Sequence, residues 1–157
     1  MKSVKVPFIA LPLVVALVVV LSAIVMLRLS SPQYAVVSFG RGVTVYTEVA
    51  ETPSQQQKGL GGRDSLAARE GMLFPINPPA VQTFWMKEMR FPLDILWLSN
   101  GTVIGFQQNA PAPTAGQTDL PQYRSPAPVD DVLEVKAGFI SANGIKIGSP
   151  VTIDRQP

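Results

Sequence analysis

A chain of 157 residues without a single cysteine or histidine excludes disulfides, thiolate chemistry, and the commonest general base and metal ligand. Its +2 charge belongs to the N-terminus, because after Arg28 ten lysines and arginines face eleven acids, a net −1. A near-neutral domain with no basic stripe argues against nucleic acid as partner, and the length leaves room for one compact domain beside one membrane segment.

The first element is an uncharged run of 22 residues, Val6–Leu27. At a rise of about 1.5 Å per residue it spans the roughly 30 Å hydrocarbon core of a bilayer. Lys2 and Lys5 precede it and Arg28 closes it, which puts residues 1–5 in the cytoplasm and the domain outside. The competing reading is a cleaved signal peptide, whose apolar region is about 7–15 residues long and ends in a small-x-small site. This run is longer, and SAIVMLRLSSP holds no Ala-x-Ala. Residues 6–28 are therefore expected to be a transmembrane anchor or uncleaved signal, 29–34 a short tether, and 35–157 the domain of a single-pass cell-membrane protein.

Ala35–Phe39 and Val43–Glu51 are rich in β-branched and aromatic residues and read as strands around Gly40-Arg41-Gly42. In the second, Val43, Val45, Thr47 and Val49 alternate with Thr44, Tyr46, Glu48 and Ala50, so Glu48 falls on the face opposite the valines. Thr52-Pro53-Ser54 opens one short helix of about two turns, stopped by Gly61-Gly62. From Gly71 to Gly105 come GMLF, FWMKEMRFPLDILWL, the turn SNGT and VIGF, expected as two strands joined at Asn100-Gly101 by a type I′ turn. Gln107–Pro128 carries five prolines and no periodicity, the texture of a functional flap or a disordered segment. Order resumes at Asp131–Val135, and VTI makes a last strand. Short strands between Gly and Pro turns predict a mostly β, compact, sandwich- or barrel-like single domain with one short helix.

Asp94 and Glu134 stand inside otherwise apolar strands. A carboxylate there must be hydrogen-bonded, ion-paired or protonated, because leaving it bare costs several kcal/mol. Lys87, Arg90, Arg63 and Tyr123 are the expected partners. Either these groups form structural pairs, or Arg63, Trp85, Lys87, Asp94, Tyr123 and Glu134 form a recess for a ligand. Trp85, Met86 and Trp97 read mainly as core. Gly59–Arg63 lacks the Lys-Ser/Thr of a phosphate loop, and Asp130-Asp131 lacks the ligand rhythm of a calcium loop, so neither metal nor cofactor is expected.

From Val43 to Ile153 the chain resembles the bacterial and archaeal "domain of unknown function" family numbered 192. The residues that carry this are Glu48–Ala50, Gly59, Leu60 and Arg63, then Gly71–Phe74, Phe84–Lys87, Pro92–Asp94, Gly101 and Ala110–Pro111. They continue through Tyr123, Ser125, Val132–Gly138, Gly144, Ile145 and Gly148. The resemblance implies a single β-rich domain, often behind a signal peptide or anchor, and no agreed activity. It also brings departures. Glu88-Met89 stands where the family usually has Asn-Thr, Gln56-Gln57 replaces a Glu-Arg pair, Gly61 replaces Met, and the cysteine many members carry in the proline-rich loop is missing.

Three functions are compatible with these residues. The expected one is a membrane-anchored extracytoplasmic module that binds a small ligand or an envelope component, with the proline-rich loop as a flap. A structural or interaction protein of a membrane assembly is the alternative. A hydrolase would need Asp94 and Glu134 as an acid–base pair, or Lys87 as base for a serine such as Ser125. The balance favours a protein that is not an enzyme.

Overall fold

In the computed structural model the described residues are 13–22 and 33–155. Residues 13–22 form an apolar helix, α1. The rest of the expected anchor, the cytoplasmic residues 1–5 and most of the tether lie outside the described residues. Among the described residues no helix is long and apolar enough to cross a membrane. The chain divides at Pro32, and the second unit carries everything that follows.

Its elements are β1 (Gln33–Phe39), a 3-10 turn at Gly40–Gly42, β2 (Val43–Val49), α2 (Pro53–Lys58), β3 (Glu70–Ala80) and β4 (Thr83–Trp85). Next come β5 (Leu93–Ser99), β6 (Thr102–Ala110), β7 (Gln122–Arg124), β8 (Val129–Lys136), α3 (Phe139–Ala142) and β9 (Val151–Arg155). Seven strands make one sheet in the order β6-β5-β8-β3-β2-β1-β9, and β4 pairs with β7 in a separate ribbon. Among the described residues only β2 and β3 run parallel, joined by a crossover that holds α2. The two ends of the sheet meet at one corner, where Thr102 bridges Pro150 and the Val151 N–H donates to the Gly101 carbonyl at 2.8 Å. Of the expected sandwich- or barrel-like arrangements the domain takes the barrel-like one, a single curled sheet that forms a half-barrel, and the curl shields part of two open edges.

The core has two layers because the middle strands are buried on both faces. Inside the curl, Val37, Val45, Leu73, Leu96, Leu98, Leu133 and Val135 pack under Phe139 and Ile140 of α3. On the opposite face, Met72, Phe74, Leu93, Ile95, Trp97 and Val132 pack under Leu60, Leu66, Met86 and Met89. Each fully buried Leu, Ile or Phe contributes about 1.5–3 kcal/mol, so β5 and β8 read as near-continuous apolar runs. Gly71 is required where β3 crowds β8, since a Cβ there would lie 2.6 Å from the Glu134 carbonyl oxygen.

The Asn100-Gly101 turn forms as expected, with φ of 49° and 67°. Three expectations are corrected. The segment FWMKEMRFPLDILWL is not one strand: β4 ends at Trp85, Met89 closes a turn back onto Met86, and Glu88 takes a φ of 59°, so β5 starts only after Pro92. The domain holds two short α-helices rather than one. The proline-rich segment is more ordered at its ends than expected, because β6 runs to Ala110 and β7 pairs Tyr123 with Phe84, which leaves a shorter loop between them.

Candidate functional site

The site grows from α2. Thr52 caps it: its Oγ1 accepts from the Gln55 N–H at 3.2 Å, while Gln55 Oε1 accepts from the Thr52 N–H at 2.9 Å. The helix stops at Gly59, whose φ of 51° and ψ of −137° suit glycine almost alone. Gln56 Nε2 fastens the helix to the sheet by donating to the carbonyls of Ala50 and Pro75 at 3.1 and 3.2 Å. The Gly62 N–H then donates to the Glu88 carbonyl at 2.9 Å, tying the glycine loop to the turn after β4. Across the gap, the Ser125 hydroxyl staples β4 to β7, accepting from the Gln82 N–H at 3.0 Å and donating to the Ala127 carbonyl at 2.8 Å.

Between these walls lies a cavity of about 260 Å³. Phe74, Ile76, Phe84, Trp85 and Met89 give it apolar sides, and Gln56, Gln57, Lys58, Gln82, Thr83 and Lys87 give it polar ones. Phe74 and Phe84 meet edge to face, their centroids 5.0 Å apart. Glu134 of β8 also lines the cavity, flanked across the sheet by Met72 and Ile95. The residue is 5% exposed, and among the described residues its carboxyl has neither a hydrogen bond nor an ion pair. Burial alone pushes it up to about 8. Gly59 leaves room beside it, since a Cβ there would sit 3.8 Å from Glu134 Oε2 and 3.5 Å from the Phe74 ring.

The six residues picked out in the sequence do not all converge. Trp85, Lys87 and Glu134 line the cavity. Arg63 instead forks onto Glu48, with two bonds of 2.7 Å, and this guanidinium holds the Glu48 carboxyl below the usual range while Glu48 raises Arg63. Tyr123 packs against the second core layer opposite Phe84. Asp94 is fully buried on the other face of the sheet, opposite Val135, and none of the four expected side chains is its hydrogen-bond partner. Its Oδ1 accepts from the Asn109 N–H at 2.8 Å, at the bulge where β6 spends two residues against one of β5. Its Oδ2 accepts from the Ile140 N–H at 2.9 Å, capping α3, whose own N-cap is the side-chain-free Gly138. An Asp94–Glu134 acid–base pair is thereby excluded by the alternation of the strands. Ser125 is likewise engaged with backbone and makes no bond to Lys87.

The walls Phe74, Phe84 and Met89 and the helix residue Gln56 were not singled out as site residues in the sequence. Alternation in β3 puts Phe74 on the face of Met72, but the Met72–Glu134 pairing that brings this face to the cavity is a contact between distant strands that sequence spacing does not show.

Residues 35–153 match the family DUF192, described as "Uncharacterized ACR". The chain belongs to this family. A protein of unknown function from Novosphingobium aromaticivorans is similar in structure, with 33% identity and a TM-score of 0.66 over 76% of this chain and 83% of that one. A protein from Sinorhizobium meliloti, named as a candidate transcription regulator, shows 29% identity and a TM-score of 0.65 over 78% of this chain and 93% of its own. No curated protein matches. Gln56, Gln57, Gly61 and Met89 of this DUF192 member line the cavity.

Proposed function

We propose that the domain is a small-ligand binding module whose site is the cavity over Glu134. The observation that carries this is the unpartnered Glu134 carboxyl, largely buried but with its oxygens open onto the cavity, where burial disfavours its charge unless something meets it. Aromatic walls with a few polar groups are the usual make-up of a ligand pocket. A volume of about 260 Å³ suits a fragment-sized molecule or a single side chain rather than an envelope polymer. Trp85, 46% exposed at the mouth, supplies a reporter. A fragment library screened by tryptophan fluorescence and thermal shift on the full chain is expected to yield ligands that lose at least tenfold in affinity with Glu134→Gln. A library without a single such hit would end this reading.

The uncharged run Val6–Leu27, with Lys2 and Lys5 before it and Arg28 after it, is the sequence feature that supports attachment to the cell membrane with the domain outside the cytoplasm. Release of the chain from membranes by an alkaline wash would rule this out.

A further inference from the structure

We infer, on the basis of that binding reading, that the cavity recognises an ammonium group: a primary or methylated amine whose cation meets Glu134 among Phe74, Phe84 and Trp85. One row of residues across the sheet makes the case. From β2 to β5 the row is Glu48, Met72, Glu134, Ile95, all on one face. Glu48 carries the Arg63 guanidinium across it. Glu134, two strands along and far more buried, carries no cation among the described residues.

The groups around Glu134 do not supply the missing cation. Met72 and Ile95 flank it from β3 and β5, Gly59 at the end of α2 brings no side chain to it, and the Glu48–Arg63 pair beyond Met72 is already matched. Lys58 and Lys87 line the cavity without an ion pair to it, and Lys87 lies 4.0 Å from Glu88 instead. A carboxylate and aromatic rings both attract cations, the rings through their quadrupole. A ligand ammonium would thus complete a charge-assisted pair that the chain leaves open.

Burial holds the proton on Glu134 to about pH 8, so an ammonium ion binds by displacing that proton. Butylammonium, which like lysine stays charged below a pH of about 9, is the probe, with butan-1-ol and butyrate as neutral and anionic isosteres. Calorimetry on the full chain is expected to show butylammonium affinity rising close to tenfold per pH unit from about 6 to about 7.5, levelling above about 8, with release of a proton. Glu134→Gln should abolish both the rise and the proton release, and Trp85→Leu should weaken butylammonium several-fold with little effect on butan-1-ol. Equal or tighter binding of butan-1-ol, fading above about pH 8, would overturn the ammonium assignment and leave the pocket reading standing. Absence of binding by all three probes and by Nα-acetyl-lysine methylamide would overturn both. Nα-acetyl-lysine methylamide separates the two sources of an ammonium group. If it binds and butylammonium does not, the cation is a side chain of a protein partner; the reverse points to a free amine.

Discussion

Asp94 and Glu134 lie on adjacent, hydrogen-bonded strands, one residue out of register, and the sheet turns them to opposite faces. Both are at most 5% exposed. On the inner face, Asp94 finds two backbone N–H groups that have no partner in a regular ladder or helix, one at a bulge and one at a helix start. On the outer face, the groups around Glu134 are the sides of a cavity, and none reaches it. The first carboxylate joins three elements into one scaffold; the second is held open. Burial is therefore no guide to role, and the difference lies in what each oxygen meets.

The largest effect that would break this comparison is at Asp94. Asp94→Ala strands one buried donor, the Ile140 N–H, and one part-buried donor, the Asn109 N–H, and is expected to cost about 3–5 kcal/mol, lowering the thermal midpoint by roughly 10 °C or more. A change within a degree or two would show that these bonds do not brace the fold.

Next comes the pH dependence of stability at Glu134. The folded carboxyl keeps its proton to about pH 8, whereas the unfolded chain releases it near the usual 4.5. The folded state binds the extra proton across that window, so this group's contribution to stability falls as pH rises from about 4.5 to about 8. Asp131, raised to about 6 by burial despite Arg155 beside it, acts in the same direction at lower pH. Both parent and variant carry Asp131, so their difference isolates Glu134. Denaturant melts at both ends of the window should show Glu134→Gln gaining on the parent by an amount on the order of a few kcal/mol. Parallel pH profiles would mean that Glu134 has a partner after all.

The smallest effect sharpens the contrast with Glu48. A double-mutant cycle on Glu48 and Arg63, each replaced by Ala, is expected to give a coupling of about 0.5–1 kcal/mol that weakens with salt, because the fork is ideal but a third of each side chain is exposed. A coupling above about 2 kcal/mol would mark this pair as a buried bridge of the kind Glu134 lacks.

Much of the fold was legible beforehand. The alternation in Val43–Val49 put Glu48 opposite the valines, Thr52-Pro53 opened a helix, and Asn100-Gly101 made its turn. These are local effects, set within a few residues by sterics and capping. The turn that splits Trp85 from Leu93 was not legible, because an apolar run with aromatics suits a strand and a packed turn equally well. The site was half legible. Trp85, Lys87 and Glu134 share the cavity, while Arg63, Tyr123 and Asp94 have other duties.

The sequence by itself determined that Asp94 and Glu134 each sit in an apolar strand and that each must be satisfied or held at a cost. It determined as well that no histidine, thiol or disulfide takes part. Only the tertiary structure decided which carboxylate is satisfied. The choice depends on the pairing of β5 with β8, on the bulge in β6 and on where α2 crosses the outer face. Those contacts join residues tens of positions apart, and a shift of one residue in register would exchange the faces of the two acids.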